Sequence, residues 1–179
     1  MNKKYWELFY SNELPSSFAK FCIKYFSRLD NNKIIDVGCG NGRDSYYFGN
    51  SGFYVHGIDY AIEPYDNNMV SFRKIALSKL VKTPCIYDVV YSRFFLHSIT
   101  TKEIVSLIDW TKDLFMAEFR DVSDKPRIYT NHKRNLVDGE WVKTLLLKKG
   151  FSIKYYKRGR GLAKYKNENP LIVRIIAER

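Results

Sequence analysis

Three cysteines in 179 residues are too few, and odd in number, for a disulfide framework. Cys22, Cys39 and Cys85 form no C-x-x-C pair, and each lies in an apolar or Gly-rich context, which removes a cysteine-based zinc site. No paired His and carboxylate spacing points to another metal. The five prolines are never gathered with Gly and Ser into a linker, and there are no repeats or low-complexity blocks. A single domain over residues 1–179 is therefore expected. No run of about 18 uncharged apolar residues exists, so no membrane-spanning helix is predicted. The start, Met1-Asn2-Lys3-Lys4-Tyr5-Trp6-Glu7, lacks the apolar run of a secretory signal, and a soluble, cytoplasmic chain is expected. Acidic residues are also scarce, 19 against 30 basic ones, for a net charge of +11.

Hydrophobic residues make up 45% of the chain and aromatic residues 16%, which is well above a disordered composition and enough for a packed core. The positive balance suits nucleic acid, phosphorylated metabolites or an anionic surface. An enrichment in Lys, Asn, Tyr, Phe and Ile, of the kind AT-rich coding produces, accounts for the charge equally well. Charge alone therefore selects no function.

The apolar run Lys33-Ile34-Ile35-Asp36-Val37 leads at once into Gly38-Cys39-Gly40-Asn41-Gly42, and then into a helix-like segment from Arg43 to Asn50. Gly52 is placed to end that helix, and a second apolar run, Phe53 to Asp59, completes a βαβ unit. Val70 to Leu77 and Ile86 to Ser92 read as further strands. Thr100 with Glu103 forms a capping-box pattern ahead of Ile104, Val105, Leu107 and Ile108 at helical spacing. Leu114 to Phe119 is a strand candidate, and Asp138 to Lys149 is a helix stopped by Gly150. Phe151 to Tyr156 and Leu171 to Ala177 are strands with no helix between them, the pattern of an antiparallel hairpin at a sheet edge. Near the start, Ser16 or Ser17 caps a helix carrying Phe18, Phe21, Cys22, Tyr25, Phe26 and Leu29 at helical spacing. The whole predicts an α/β fold: a Rossmann-like seven-stranded sheet, mostly parallel with a C-terminal antiparallel hairpin, and helices on both faces.

Glycines directly after a strand let the backbone turn tightly and let a ligand approach the main chain. Asp59 ends the next strand, about 20 residues on, where an acidic side chain accepts hydrogen bonds from ribose hydroxyls. The pair points to a nucleoside cofactor. The spacing G-x-G-x-G and the lack of a second mononucleotide half argue against a dinucleotide fold.

Asp36-Val37-Gly38-Cys39-Gly40-Asn41-Gly42-Arg43-Asp44, followed by Gly57-Ile58-Asp59-Tyr60, resembles the first two motifs of class I S-adenosylmethionine-dependent methyltransferases. The resemblance implies S-adenosylmethionine as cofactor. It implies backbone contacts from Gly38 and Gly40, the ribose diol on Asp59 and the adenine beside Tyr60, with Asp36, Cys39, Arg43 and Ser92 in the same cofactor set. The family often carries a carboxylate after the third strand to read the adenine amino group. Arg73-Lys74-Ile75-Ala76-Leu77 has none, so recognition there falls to backbone groups near Ala76 and Leu77.

In open α/β sheets the acceptor lies beyond the carboxyl ends of the strands, here near Ser92-Arg93-Phe94-Phe95-Leu96-His97 and Glu118-Phe119-Arg120-Asp121. Methyl transfer to an alcohol requires a base, for which His97 and His132 are the candidates. Arg93, Glu118, Arg120 and Arg134 are the candidate acceptor-binding residues, and the guanidinium groups favour an anionic small molecule. An ion-pair network with Glu118, Asp121 and Asp124 is the alternative use of the arginines. No Asp-Pro-Pro-Tyr or Asn-Pro-Pro-Tyr follows the fourth strand, which argues against amino methylation of adenine. Cys85 precedes its strand and is read as a core thiol. A second resemblance is carried by the Ser92 to His97 and Glu118 to Arg120 segments, by Gly159-x-Gly161-Leu162-Ala163, Asn169-Pro170 and Arg174-Ile175-Ile176. It is to small methyltransferases of surface-polysaccharide and sugar modification, and it implies a hydroxyl on a sugar, nucleotide-sugar or phosphorylated metabolite. Residues 1–30 supply a helix and, through Tyr5 to Tyr10 together with Ser16-Ser17-Phe18, either a lid over the cofactor or an aromatic plug on the sheet. The basic stretch from Lys154 to Lys166 keeps an RNA-directed methyltransferase, or a nucleic-acid-binding partner of one, as an alternative. A cofactor-binding scaffold without catalysis is a third reading.

Overall fold

A computed structural model describes residues 14–26, 33–61, 64–124, 135–164 and 168–179. The candidates His132 and Arg134, the aromatic segment Tyr5 to Tyr10, Leu29 and the end of the basic stretch lie outside these residues.

The elements run α1 (Ser17–Phe26), β1 (Lys33–Val37), α2 (Arg43–Asn50), β2 (Tyr54–Asp59), β3 (Val70–Lys74), the single turn α3 (Leu77–Leu80), β4 (Val89–Arg93), α4 (Thr101–Trp110), β5 (Leu114–Arg120), α5 (Gly139–Lys148), β6 (Ser152–Gly159) and β7 (Ile172–Glu178). The seven strands form one sheet in the order β3-β2-β1-β4-β5-β7-β6. β3 through β5 are parallel, while β7 runs antiparallel to both β5 and β6. The predicted architecture is thus observed, with β7 wedged between β5 and the edge strand β6.

Helices cover both faces, and this explains why β1 and β4 read as apolar runs without alternation. On one face Ile35, Val37 and Val90 pack with Leu77 and Leu80 of α3, Ile104 and Leu107 of α4, and Val142 and Leu146 of α5. On the other, Ile34, Val89 and Tyr91 pack with Phe18 and Phe26 of α1 and Phe48 of α2. Local signals hold where they set helix ends. Ala19 N–H donates to Ser16 Oγ at 3.0 Å. The Thr100/Glu103 capping box closes reciprocally at the start of α4, and Asp138 caps α5.

Three strand boundaries differ from expectation, one being the end of β6, which runs past Tyr156 to Gly159 because Lys157, Arg158 and Gly159 keep pairing with β7. The fourth strand begins at Val89, where its ladder with β1 starts (Ile34 to Val89), and not at Ile86, which is 65% exposed. Tyr87 instead turns its hydroxyl to His56 Nδ1 at 2.6 Å, a tertiary partner that overrides β propensity. The third strand stops at Lys74, and Ala76 in extended conformation caps the helical turn that takes up Leu77. Among the described residues no helix is long and apolar enough to cross a membrane.

Replacing Thr100 with Ala removes the side chain that accepts the Glu103 N–H, and about 1 kcal/mol of stability should go with it in urea unfolding, while Thr100→Ser stays near wild type. An unchanged unfolding midpoint in Thr100→Ala would count against the cap.

Candidate functional site

The strand order reverses between β1 and β4, so their loops diverge and open a crevice at the carboxyl ends. The glycine turn fills the β1 side. Gly38 and Cys39 both donate to Ile58 O, at 2.8 and 3.0 Å, and Gly42 N–H closes onto Cys39 O at 3.0 Å. Gly38 (φ +81°) and Gly42 (φ +77°) adopt left-handed backbone conformations. A Cβ at Gly38 would come within 2.5 Å of the Phe95 ring, and one at Gly42 within 2.6 Å of Phe72. Both positions therefore need glycine twice over, for backbone angle and for space.

Asp59, at the end of β2, joins the turn to the next loop. Its Oδ2 accepts the Gly40 N–H at 3.2 Å and its Oδ1 accepts the Ala61 N–H at 2.7 Å. These two backbone bonds, one to each carboxylate oxygen, fix its orientation. Tyr60 beside it is half exposed. Ala76 and Leu77 sit at the start of α3, past the end of β3.

Beneath the turn Asp36 is buried and accepts the Ser45 hydroxyl at 2.6 Å. Burial pushes its carboxyl up to about 7, against the Ser45 hydrogen bond, which pulls it down. Burial, reinforced by the Asp36 carboxylate, also raises the Cys39 thiol, whose sulfur packs beside Gly57. Ser92 is fully buried, with Oγ donating to Val37 O at 3.3 Å, and so ties β4 to the end of β1.

On the β4 side Phe94 takes φ +55°, an uncommon conformation for an aromatic residue, and its N–H donates to Glu118 O at 2.7 Å. That kink places Phe95 against Gly38 and stacks the Arg93 guanidinium over the Phe94 ring at 4.3 Å. His97 is 1% exposed; its Nδ1 accepts the Arg120 N–H at 3.4 Å. This geometry assigns the ring proton to Nε2.

The candidate acceptor residues separate into two networks. In the first, Glu118, fully buried, accepts Arg93 Nε at 2.8 Å and Arg174 Nε at 2.6 Å. Arg174 also donates to Ser17 Oγ and Leu162 O, both at 2.7 Å. Asp44 completes the group, accepting Ser16 N–H, Ser16 Oγ–H and Tyr91 Oη–H at 2.7 to 2.8 Å, with Arg43 Nε 3.8 Å away. In the second, Arg120 pairs with Asp124 and Glu168, Arg158 with Asp121, and Arg160 with Asp124. Arg93, Glu118 and Arg43 therefore share one network, and Arg120 belongs to the other. Sequence reasoning gave Asp44, Ser16, Tyr91 and Arg174 no part in this network, although Asp44 stands in the glycine-turn motif, Ser16 is a helix-cap candidate and Arg174 is one charge inside the apolar run Ile172 to Ala177.

A seven-stranded sheet with this order, a glycine turn after β1 and an acidic end to β2 is the fold of S-adenosylmethionine-dependent methyltransferases. One solved neighbour is such an enzyme from Methanosarcina mazei, at TM-score 0.70 and 19% identity over 88% of this chain and 96% of that one. Another is magnesium protoporphyrin IX methyltransferase of Synechocystis PCC 6803, solved with bound S-adenosylmethionine, at TM-score 0.67 and 16% identity over 99% and 79%. TehB from Haemophilus influenzae superposes at TM-score 0.66 and 15% identity, over 89% of this chain and 62% of that one. The profile of the family described as tellurite resistance protein TehB matches residues 22–114, and the chain belongs to that family. No curated protein matches the chain in sequence.

Asp36 sets a pH dependence. Its folded pKa of about 7 lies above the ordinary 3.8, so its contribution to stability is complete below 3.8 and is lost as pH rises through 7. Calorimetric melting from pH 5 to 8 should show a stability loss on the order of a few kcal/mol that Asp36→Asn, which keeps a neutral partner for Ser45, largely removes. Equal slopes in wild type and variant would rule this out.

Proposed function

We propose that the chain binds S-adenosylmethionine across the β1–β4 crevice and moves its methyl group to a small anionic acceptor in the cytoplasm. The observation that carries this reading is Asp59, fixed by the Gly40 and Ala61 N–H groups at the point where a ribose diol would meet a glycine turn. Gly38 and Gly40 would bring backbone to the methionine and ribose portions, while Tyr60 flanks the adenine and Ala76 and Leu77 offer main-chain groups to its edge. Asp36, Cys39 and Ser92 support the turn from below. The cofactor supplies an electrophilic methyl group; the protein has to align a nucleophile with it and exclude water.

An anionic acceptor accords with the arginines of the first network and with the family description, since tellurite is itself an oxyanion. A sugar, nucleotide-sugar or phosphorylated metabolite with a reactive hydroxyl is the finer proposal. Such a hydroxyl needs a base, and His97 and His132 are the proposed ones. For His97 this requires giving up the Arg120 N–H contact at Nδ1. An acceptor that is already an oxyanion needs no base. The RNA-directed alternative loses support where Lys154, Arg158 and Arg160 of the basic stretch pair with Glu178, Asp121 and Asp124.

Calorimetric titration should show S-adenosylmethionine binding to the wild type, weakened at least about ten-fold in Asp59→Ala through loss of a charge-assisted hydrogen bond. A wild type that binds neither S-adenosylmethionine nor S-adenosylhomocysteine would refute the reading.

A further inference from the structure

The two arginine networks differ in their charge balance. Around Arg120 three guanidiniums (Arg120, Arg158, Arg160) face three carboxylates (Asp121, Asp124, Glu168), and the group is neutral. At the mouth of the crevice, Arg43, Arg93 and Arg174 pair, among the described residues, only with Asp44 and Glu118. That leaves one positive charge in surplus, on side chains that are 20%, 17% and 8% exposed. Charges taken this far out of water are stable when paired, and an unpaired one is costly.

The surplus falls on Arg43. Arg93 and Arg174 each make a short contact with Glu118. Arg43 has among the described residues only the Asp44 carboxylate at 3.8 Å, and that carboxylate already accepts from the Ser16 N–H, the Ser16 hydroxyl and Tyr91. Asp44 binds Tyr91, and Tyr91 and Arg93 lie two apart on β4, on one face of the strand, which brings the Arg93 charge within range of Arg43. Burial and the neighbouring Arg93 charge lower the Arg43 pKa, and the Asp44 and Glu118 carboxylates offset this only in part. Asp36, half protonated near neutral pH, offsets only part of the excess.

We propose that Arg43, backed by Arg93, seats the negative group of the acceptor, a carboxylate or phosphate oxyanion, and so selects anionic over neutral acceptors. The inference rests on the methyl-transfer reading for what the anion is. The cofactor brings no net negative charge, because the carboxylate of its amino-acid tail is balanced by its own ammonium and its sulfonium is positive. The position also fits, because Asp59 marks the nucleoside end at β2 while Arg43 opens α2 directly after the glycine turn and Arg93 ends β4. A guanidinium presents a planar fork that matches a carboxylate or phosphate edge.

The test uses the full chain saturated with S-adenosylhomocysteine and titrated by calorimetry with inorganic phosphate and with acetate. Wild type should bind, and Arg43→Gln should bind at least about ten-fold more weakly while keeping its S-adenosylhomocysteine affinity within about three-fold. Arg43→Lys, which keeps charge without the fork, should fall between them, and it carries the comparison if Arg43→Gln does not fold. Arg158→Gln, in the neutral network, should bind phosphate as wild type does. Equal phosphate binding by wild type and Arg43→Gln, or an equal loss in Arg158→Gln, overturns the proposal. So does an Arg43→Gln protein that loses affinity for S-adenosylhomocysteine but not for 5′-methylthioadenosine, which lacks the amino-acid tail. If wild type binds neither cofactor form, the methyl-transfer reading fails, and phosphate titration of the unliganded chain still decides whether the seat exists.

Discussion

Glu118 is fully buried between two guanidiniums, and the functional end of the sheet is organised around that carboxylate. Arg93 reaches it from β4 and Arg174 from β7, so one side chain clamps the parallel half of the sheet to its antiparallel end. Through Arg174 the clamp extends to Ser17 at the start of α1. Its backbone carbonyl takes the Phe94 N–H and stabilises the left-handed turn that ends β4. A carboxylate so far from water persists only because both oxygens hold charge-assisted hydrogen bonds. Without it, two arginines would be stranded beside an apolar layer.

The opposite wall of the crevice uses a different economy. There the positions are fixed by missing side chains: glycines admit Phe95 and Phe72 where a Cβ would collide. Phe95 is brought to Gly38 by the Phe94 kink, which in turn hangs on Glu118. The ion-pair clamp and the glycine turn are thus mechanically linked across the crevice by two consecutive phenylalanines. A strained residue at this point is what a site that must hold its geometry would carry.

What was legible in the sequence follows from the range of the interactions. β1, the glycine turn, α2 and β2 were readable because a strand, a turn and a cap are set within a few residues, and the Thr100/Glu103 cap shows the same. The strand ends at Ile86 and Leu77 were misplaced because a ladder partner or a tertiary contact decided them, and no local propensity encodes that. The sequence put Arg93, Arg120 and Arg134 around one mouth, but which carboxylate an arginine meets depends on strand order. Arg174 and Glu118 are 56 positions apart, and Arg93 and Glu118 are 25. Two networks, one neutral and one not, therefore read from the sequence as a single basic mouth.

β7 gives the site a topological condition. Arg174 rides on that strand, and its bond to Ser17 spans 157 positions, so it is among the costliest loops in the chain to close. Before β7 docks, Arg43 and Arg93 face Asp44 and Glu118 in even number. Insertion of the strand gives Glu118 the second guanidinium that its burial requires, so the clamp is complete only when the sheet is.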